Sequence, residues 1–274
     1  MNNINFSIEK PLNEKVLSYA PGSVERVRLG EELDRQSGIV VDIPAVIGGK
    51  EIRTGDLVDV VMPHDHRHVL ARFHRAGAAE IESACSIAVA AQAEWMRMPW
   101  VERAVVFMKA AHLISDKYRY LLSAATMLGQ SKNAYQAEID AIAETVDFLR
   151  MNAAFASEIY ASQPASGHDQ MNRLQYRPLE GFVFAVTPFN FTAIAANLPT
   201  APALMGNTVV WKPASAAVLP AYFIMKILEE AGMPPGVINM VPGPGPIVGP
   251  PALNDVRLGG IHFTGSTYVF STIW

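Results

Sequence analysis

The chain has 274 residues, half of them apolar, with a formal net charge of −4 and a single cysteine. A chain of this size and composition buries a substantial core, while one cysteine excludes an internal disulfide framework and a cysteine-based zinc cluster. Acidic and basic residues are intermixed and form no dense basic face, so nucleic acid is not an expected partner.

The first 60 residues are predicted to form an N-terminal arm followed by a hairpin. The start, MNNINFSIEKPLNEK, has early acidic residues, no arginine before Arg26 and no apolar signal core, so we expect neither a secretory signal nor a transit peptide. Cytoplasm is therefore the default expectation. In the segment Pro44–Thr54, β-forming residues lie on either side of Gly48 and Gly49, which predicts a hairpin, and DLVDVVMP predicts another strand.

A histidine-rich run, PHDHRHVLARFH, follows at residues 63–74. Imidazoles at alternating positions share one face of a strand, so a metal site is one interpretation. No cysteine and no regularly spaced His or Glu partner follows, and polar alternation is common near strand edges. We therefore favour an ordinary strand here and predict no metal. The histidines concerned are His64, His66, His68 and His74.

Residues 61–165 are predicted to be the helical part of a cofactor-binding domain. Apolar residues at three- and four-residue steps predict helices over 78–98, 99–128 and 134–162, separated by Pro99-Trp100 and by the polar stretch after Gly129. Cys85 lies on the apolar face of the first helix, with no nearby base. It is therefore expected to be a buried, inert thiol and not a nucleophile.

From residue 181 to the end, strands and helices alternate at similar intervals. Strands are predicted at 182–186, 208–211, 236–241 and 259–263, with helices between them. This order predicts an α/β fold with a doubly wound parallel sheet. The run Gly181–Trp211 has no charged residue, yet its prolines and asparagines oppose a lipid-facing helix, so we expect no membrane span.

Polar groups cluster where these predicted strands end. Asn190 follows the first strand and Lys212 ends the second. Ligands of open parallel sheets bind outside the carboxyl ends of the strands, so both residues are candidates for a binding site. A glycine-rich loop at 243–249 and the helix start Thr264-Gly265-Ser266 follow later strands, and backbone N–H groups at a helix start suit a pyrophosphate.

Four stretches carry a resemblance to a known family: TPFNF at 187–191, VVWKPAS at 209–215, GPGPIVG at 243–249 and HFTGS at 262–266. Together they resemble the aldehyde dehydrogenase superfamily. The flanking stretches QSKNAYQAEID, YRPLEGF and GIHFTGSTYVF are similar to its L-glutamate γ-semialdehyde (1-pyrroline-5-carboxylate) dehydrogenase branch. The resemblance covers nearly the whole chain and implies a Rossmann-like cofactor-binding domain and a role in proline degradation.

Asn190 is the catalytic residue that the resemblance implies. A neutral amide donor at a rigid strand end stabilises the oxyanion formed when a thiolate attacks an aldehyde. The competing interpretation is an Asx turn or a helix N-cap. The resemblance also implies that Phe191 packs the aliphatic stem of the substrate and that Glu138 faces the aldehyde site. The alternative for Glu138 is a solvated helix glutamate, and Phe189 is expected to pack in the core.

NAD is the cofactor that the resemblance implies. Lys212 offers a point charge for ribose hydroxyls and phosphate. Ser215 stands where many NAD-specific relatives carry a glutamate that repels a 2′-phosphate, so we expect NADP to be tolerated. Phe270 replaces a glycine common in the superfamily, which leaves the phosphate contacts open. The cofactor-binding residues implied are Thr187, Lys212, Ser215, Gly245, Gly265 and Ser266.

Residues 166–180 match a ribbon strand that pairs with another subunit in the family, so a homo-oligomer is expected. The family's cysteine loop and general-base glutamate have no match here, so 181–274 is expected to be a truncated nucleotide-binding part with the catalytic domain missing. Two alternatives stay open: a non-catalytic nucleotide-binding or assembly module, and a dehydrogenase for another semialdehyde.

Overall fold

A computed structural model describes residues 7–274 of the chain. The helices are α1 (Val24–Ser37), α2 (Ala78–Trp95), α3 (Trp100–Ser115), α4 (Arg119–Gln130), α5 (Ala134–Ala137), α6 (Thr145–Ala161), α7 (Thr192–Leu204), α8 (Val218–Ala231), α9 (Gly245–Leu253) and α10 (Thr267–Ile273). The strands are β1 (Val41–Ile43), β2 (Ala45–Ile47), β3 (Lys50–Ile52), β4 (Leu57–Met62), β5 (Asp65–His74), β6 (Phe182–Val186), β7 (Thr208–Lys212), β8 (Ile238–Met240) and β9 (Leu258–Phe263).

The main sheet has six strands in the order β3, β2, β8, β7, β6, β9. The last four are parallel, which confirms the predicted α/β doubly wound fold. The predicted hairpin also forms, and it extends this sheet because β2 pairs antiparallel with β8. Asn239 fixes that junction, since its buried side-chain oxygen accepts a hydrogen bond from the Gly48 N–H at 2.8 Å.

Helices cover both faces of the parallel strands because alternate strand residues point to opposite sides. On one face, Val183, Val209 and Trp211 belong to a large core that includes α3, α6, α7 and α8. On the other face, Phe182 and Val210 pack with residues of α2 and α9. No helix within residues 7–274 is both long and apolar enough to cross a membrane.

The histidine-rich run forms β5, the middle strand of a separate three-stranded sheet with β1 and β4. His64 hydrogen-bonds the Ser131 hydroxyl at 2.8 Å, and His68 bonds the Ser37 carbonyl at 3.0 Å. His74 is buried and contacts Asp42 at 3.1 Å. In the part of the chain that the structure describes, no group of three His, Cys, Asp or Glu residues is arranged to hold a metal ion.

Two of the predicted helices differ from the structure. The pattern over 99–128 predicts one helix, but the chain breaks into α3 and α4 at Asp116, whose φ of −114° and ψ of −81° are not helical. Both halves keep an apolar face, so periodicity alone does not reveal the break. The helix over 134–162 forms, but a π-helical segment, Glu138–Glu144, joins α5 to α6.

The segment 166–180 is predicted to be a ribbon strand. In the structure it is exposed over most of its length and joins no sheet formed by residues 7–274. An exposed extended segment of this kind is suited to pairing with a strand of a second subunit. The ribbon therefore stays a prediction.

Candidate functional site

The carboxyl ends of three neighbouring strands meet at one edge of the main sheet. Val186, at the end of β6, is in register with Lys212 on β7 and with Phe263 on β9. The chain builds β7 and β8 on one side of β6 and then returns to place β9 on the other side. This reversal of direction is the switch point at which open α/β sheets bind ligands.

A cleft of about 1080 Å³ lies at this edge. Its walls are the turns that follow β6 and β9, the end of β7, and helices α9 and α10. Ser215, Phe191 and Glu138 do not line it. The predicted site residues that do line it are Thr187, Asn190, Lys212, Gly245, Gly265 and Ser266.

Asn190 is exposed at the cleft, and the N-cap interpretation of this residue is wrong. The N-cap of α7 is Phe191, which provides no capping side chain. The Asp140 carboxylate accepts the hydrogen bonds from the first helical N–H groups, with distances of 3.0 Å from Thr192 and 2.9 Å from Ala193. The Asn190 carboxamide makes no hydrogen bond within residues 7–274, so it is free to donate to a ligand.

Lys212 brings a positive charge to the same cleft. Its ammonium group donates to the Pro213 carbonyl at 3.3 Å and has no carboxylate within ion-pair distance among the residues described. Burial lowers the pKa of Lys212, because removing water disfavours the charged form. An unpaired cation at a strand end is costly for the fold and well placed for an anionic or hydroxyl-rich ligand.

The hydroxyls of Thr187 and Ser266 are already engaged. Thr187 is buried, and its hydroxyl accepts from the Trp211 indole N–H at 3.1 Å. Ser266 caps α10 by accepting from the Val269 N–H at 3.2 Å. Their side chains thus hold the turns after β6 and β9 in place.

The two phenylalanines of the TPFNF turn differ from expectation. Phe189 was expected to pack in the core, but it is 65% exposed and lines the cleft, because the turn projects it beyond the strand end. This prediction is wrong. Phe191 is 39% exposed, and the Lys132 ammonium lies 4.5 Å from the centre of its ring. The predicted contact of Phe191 with the substrate stem stays a prediction.

Glu138 is fully buried, so its interpretation as a solvated helix residue is wrong. One carboxylate oxygen accepts from Arg119 at 2.6 Å and from the Leu17 N–H at 2.9 Å, and the other accepts from the Tyr19 hydroxyl at 2.6 Å. These bonds fix the N-terminal arm against α4 and the π-helical segment. Its predicted contact with the substrate stays a prediction.

Sequence reasoning missed two residues near the cleft, Lys132 and Asp140. Lys132 donates to the carbonyl of Asn190 at 2.7 Å and to the Asp140 carboxylate at 2.5 Å. The prediction for Cys85 is confirmed, since its thiol is buried within α2 and burial raises its pKa to about 12. A thiol with this pKa supplies almost no thiolate at neutral pH.

A match to a protein-family model identifies the family of this chain. The Aldehyde dehydrogenase family model matches residues 51–274. The chain belongs to the aldehyde dehydrogenase family. The resemblance inferred from the TPFNF and VVWKPAS stretches is thereby confirmed, and the six predicted residues that line the cleft lie within the matched region.

Individual relatives agree with this assignment. The chain is 51% identical to the Delta-1-pyrroline-5-carboxylate dehydrogenase of Agaricus bisporus over 98% of its own length and 50% of that protein. It is 45% identical to the mitochondrial enzyme of that name from Homo sapiens, covering 97% of this chain and 47% of that protein. The chain therefore spans about half the length of the curated relatives it matches.

The fold matches a solved family member closely. The crystal structure of the Delta-pyrroline-5-carboxylate dehydrogenase from Mycobacterium tuberculosis bound with NAD superposes with a TM-score of 0.96 and 52% identity. The match covers 98% of this chain and 50% of that chain. The backbone of this aldehyde dehydrogenase family member thus closely follows that of an NAD-bound relative over 98% of the chain.

Proposed function

We propose that this chain is the cofactor-binding part of an NAD-dependent dehydrogenase that oxidises L-glutamate γ-semialdehyde to L-glutamate in proline degradation. The observation that carries the proposal is the meeting of Asn190 and Lys212 in one cleft at the switch point of the sheet. Relatives named Delta-1-pyrroline-5-carboxylate dehydrogenase, at 45% and 51% identity, supply the substrate class.

Asn190 is the oxyanion donor in this proposal. When a thiolate adds to the aldehyde carbon, the carbonyl oxygen becomes negatively charged and needs a fixed hydrogen-bond donor. The carboxamide of Asn190 is exposed in the cleft and has no competing partner in residues 7–274. A neutral amide donates without acting as a base.

Lys212, with the backbone of the turns at Gly245 and Gly265, is proposed to hold NAD. The residues fit the group, since they combine a cation with no carboxylate partner in the described residues and exposed backbone at strand ends, at the edge where α/β sheets bind nucleotides. When bound, NAD⁺ would supply the acceptor for the hydride that leaves the substrate carbon after the thiolate has added to it. The protein residues bind and orient the cofactor and the aldehyde and exclude water between them.

The nucleophile and general base are proposed to come from protein outside residues 1–274, because Cys85 is buried in the core. The full-length protein, supplied with L-glutamate γ-semialdehyde and NAD⁺, should form NADH at a higher kcat/KM than with other semialdehydes. Residues 1–274 alone should form none. A preference for another semialdehyde, or turnover by the isolated chain, would contradict the proposal.

Replacement of Lys212 by methionine should raise the stability of the chain and weaken its binding of NAD. The chain should gain roughly 0.5–2 kcal/mol in unfolding free energy, since an unpaired, partly buried cation is removed. NAD should bind about tenfold more weakly, because one charge contact is lost. Thermal unfolding and calorimetric titration of NAD measure the two effects. Equal NAD affinity in the variant would show that Lys212 does not contact the cofactor.

The Lys212 variant should also alter the pH dependence of stability. Burial lowers the folded-state pKa of Lys212, so the folded chain loses this proton at a lower pH than the unfolded chain does. The contribution of Lys212 to the unfolding free energy therefore rises with pH between its folded-state pKa and the ordinary lysine pKa. The methionine variant should lack this alkaline gain, whereas Lys50→Met, which removes an exposed lysine of β3 that forms no ion pair within residues 7–274, should keep it.

Cofactor choice gives a separate prediction at Ser215, which begins a 3₁₀ turn three residues after the end of β7. No carboxylate at position 215 repels a 2′-phosphate, so the dissociation constant of NADP should lie within about a thousandfold of that of NAD. Ser215→Glu should weaken NADP and leave NAD nearly unchanged. An NADP constant more than a thousandfold weaker in the unmodified protein would contradict this.

The proposal extends to assembly and location. We propose that residues 166–180 pair with a second subunit, which is supported by their exposure and by the absence of a β-strand at these positions in the described structure. The relatives from Homo sapiens and Dictyostelium discoideum are named as mitochondrial. For this chain we propose the cytoplasm, a reducing compartment that suits its single free cysteine, Cys85.

A further inference from the structure

We propose that Lys132 and Asp140 are positioning residues for Asn190 and that their ion pair fixes the turn presenting its carboxamide to the cleft. The inference rests on the proposed role of Asn190 as oxyanion donor. Neither residue lines the cleft, so any effect on the reaction is transmitted through the backbone of the TPFNF turn.

Asp140 is 2% exposed, and its two carboxylate oxygens accept three hydrogen bonds. One oxygen accepts from the Ala193 N–H, and the other accepts from the Thr192 N–H and from Lys132. The carboxylate thus replaces the missing N-cap side chain of α7 and lies at the positive end of that helix, where a negative charge is stabilised. It also occupies two of the N–H groups that an oxyanion would otherwise use.

Lys132 connects the Asp140 carboxylate, which caps α7, to Asn190, which lies two residues before the helix begins. Its ammonium group donates to Asp140 and to the Asn190 carbonyl, and it lies over the Phe191 ring. Three consecutive residues, Asn190, Phe191 and Thr192, are therefore held by one ion pair. The Asn190 backbone is fixed at its carbonyl, so only its side-chain torsions remain to be set.

Lys132 and Asp140 need their charges, as well as their shapes, to hold the turn at Asn190. In Asp140→Asn, the amide group has one oxygen where two acceptors are required, and its NH₂ group faces an N–H or the Lys132 ammonium. Lys132→Met leaves the cap of α7 intact but releases the Asn190 carbonyl. The two variants therefore separate loss of the helix cap from loss of the hold on Asn190.

The test uses the full-length protein and compares kcat with KM. Lys132→Met should lower kcat about 10- to 100-fold, because a shift of about 1 Å in a reacting group costs up to about 100-fold in rate. KM for the semialdehyde and the dissociation constant of NAD should change less than about threefold. Lys132→Arg should restore part of the loss, since it keeps the charge and the donors.

A matched control is Lys109→Met. Lys109 also donates to a backbone carbonyl, that of Glu230 at 3.1 Å, but far along the chain from the TPFNF turn. This variant should keep the unmodified kcat. An unchanged kcat in both Lys132→Met and Asp140→Asn would overturn the inference, as would an equal loss in Lys109→Met.

A second measurement does not depend on turnover and separates this inference from the proposed function. In the full-length protein, without substrate or cofactor, amide hydrogen exchange at Thr192 and Ala193 should speed up at least about tenfold in Asp140→Asn and stay unchanged in Lys109→Met. Unchanged exchange in Asp140→Asn would overturn the inference. If the unmodified full-length protein does not oxidise the semialdehyde, the proposed function fails instead.

Discussion

Replacement of Asn190 by alanine in the full-length protein is expected to lower kcat by about 100- to 1000-fold, the usual effect of removing one oxyanion donor. Asp140 already occupies the N–H groups of Thr192 and Ala193, so the helix start provides no substitute donor. KM and NAD affinity should change little, because the amide acts on charge that develops in the transition state. Steady-state kinetics measure both constants.

Two further variants sharpen this test. Asn190→Asp keeps the size of the side chain but places a negative charge beside the developing oxyanion, so its kcat should be at least as low as that of the alanine variant. Asn254→Ala is the control, since Asn254 is an exposed carboxamide that lines the same cleft from the end of α9. Retention of the normal kcat in Asn190→Ala would refute the oxyanion role.

Replacement of Gly181 by alanine is expected to cost about 3 kcal/mol or more of unfolding free energy. Gly181 has a φ of +89°, and a Cβ there would lie 1.8 Å from the Arg257 carbonyl oxygen. That oxygen accepts the Phe182 N–H at 3.0 Å, where the pairing of β6 with β9 begins. The backbone therefore has to move, and the two strands that flank the switch point separate.

Gly232→Ala isolates the conformational part of this cost. Gly232 has a φ of +100° at the end of α8, but a Cβ there would meet no atom within 4 Å. Gly232→Ala should lose only about 1 kcal/mol of unfolding free energy, because alanine disfavours the left-handed conformation. Chemical denaturation of the three chains measures the difference. Equal losses in both variants would mean that the contact with Arg257 is not rigid.

Much of the cleft follows from local sequence. The apolar run FVFAV and the run TVVW, each followed by a polar residue, predict β6 and β7, and their parallel order places Asn190 and Lys212 at one edge. Local patterns failed where the outcome depends on the path of the backbone in space. Phe189 reads as a core residue by its chemistry, yet the turn projects it into the cleft. Nothing adjacent to Asp116 in the sequence marks the break between α3 and α4.

The sequence by itself determined the order of strands and helices, the family and the residues at the strand ends, because these depend on periodicity and on neighbours along the chain. Only the tertiary structure decided how those residues are held. Lys132 reaches Asn190 across 58 positions, and Asp140 reaches Thr192 across 52. The energy of such ion pairs and caps depends on distance in space, which local patterns do not encode. The same reason explains why Glu138 reads as a solvated acid, whereas folding buries it against Arg119 and the N-terminal arm.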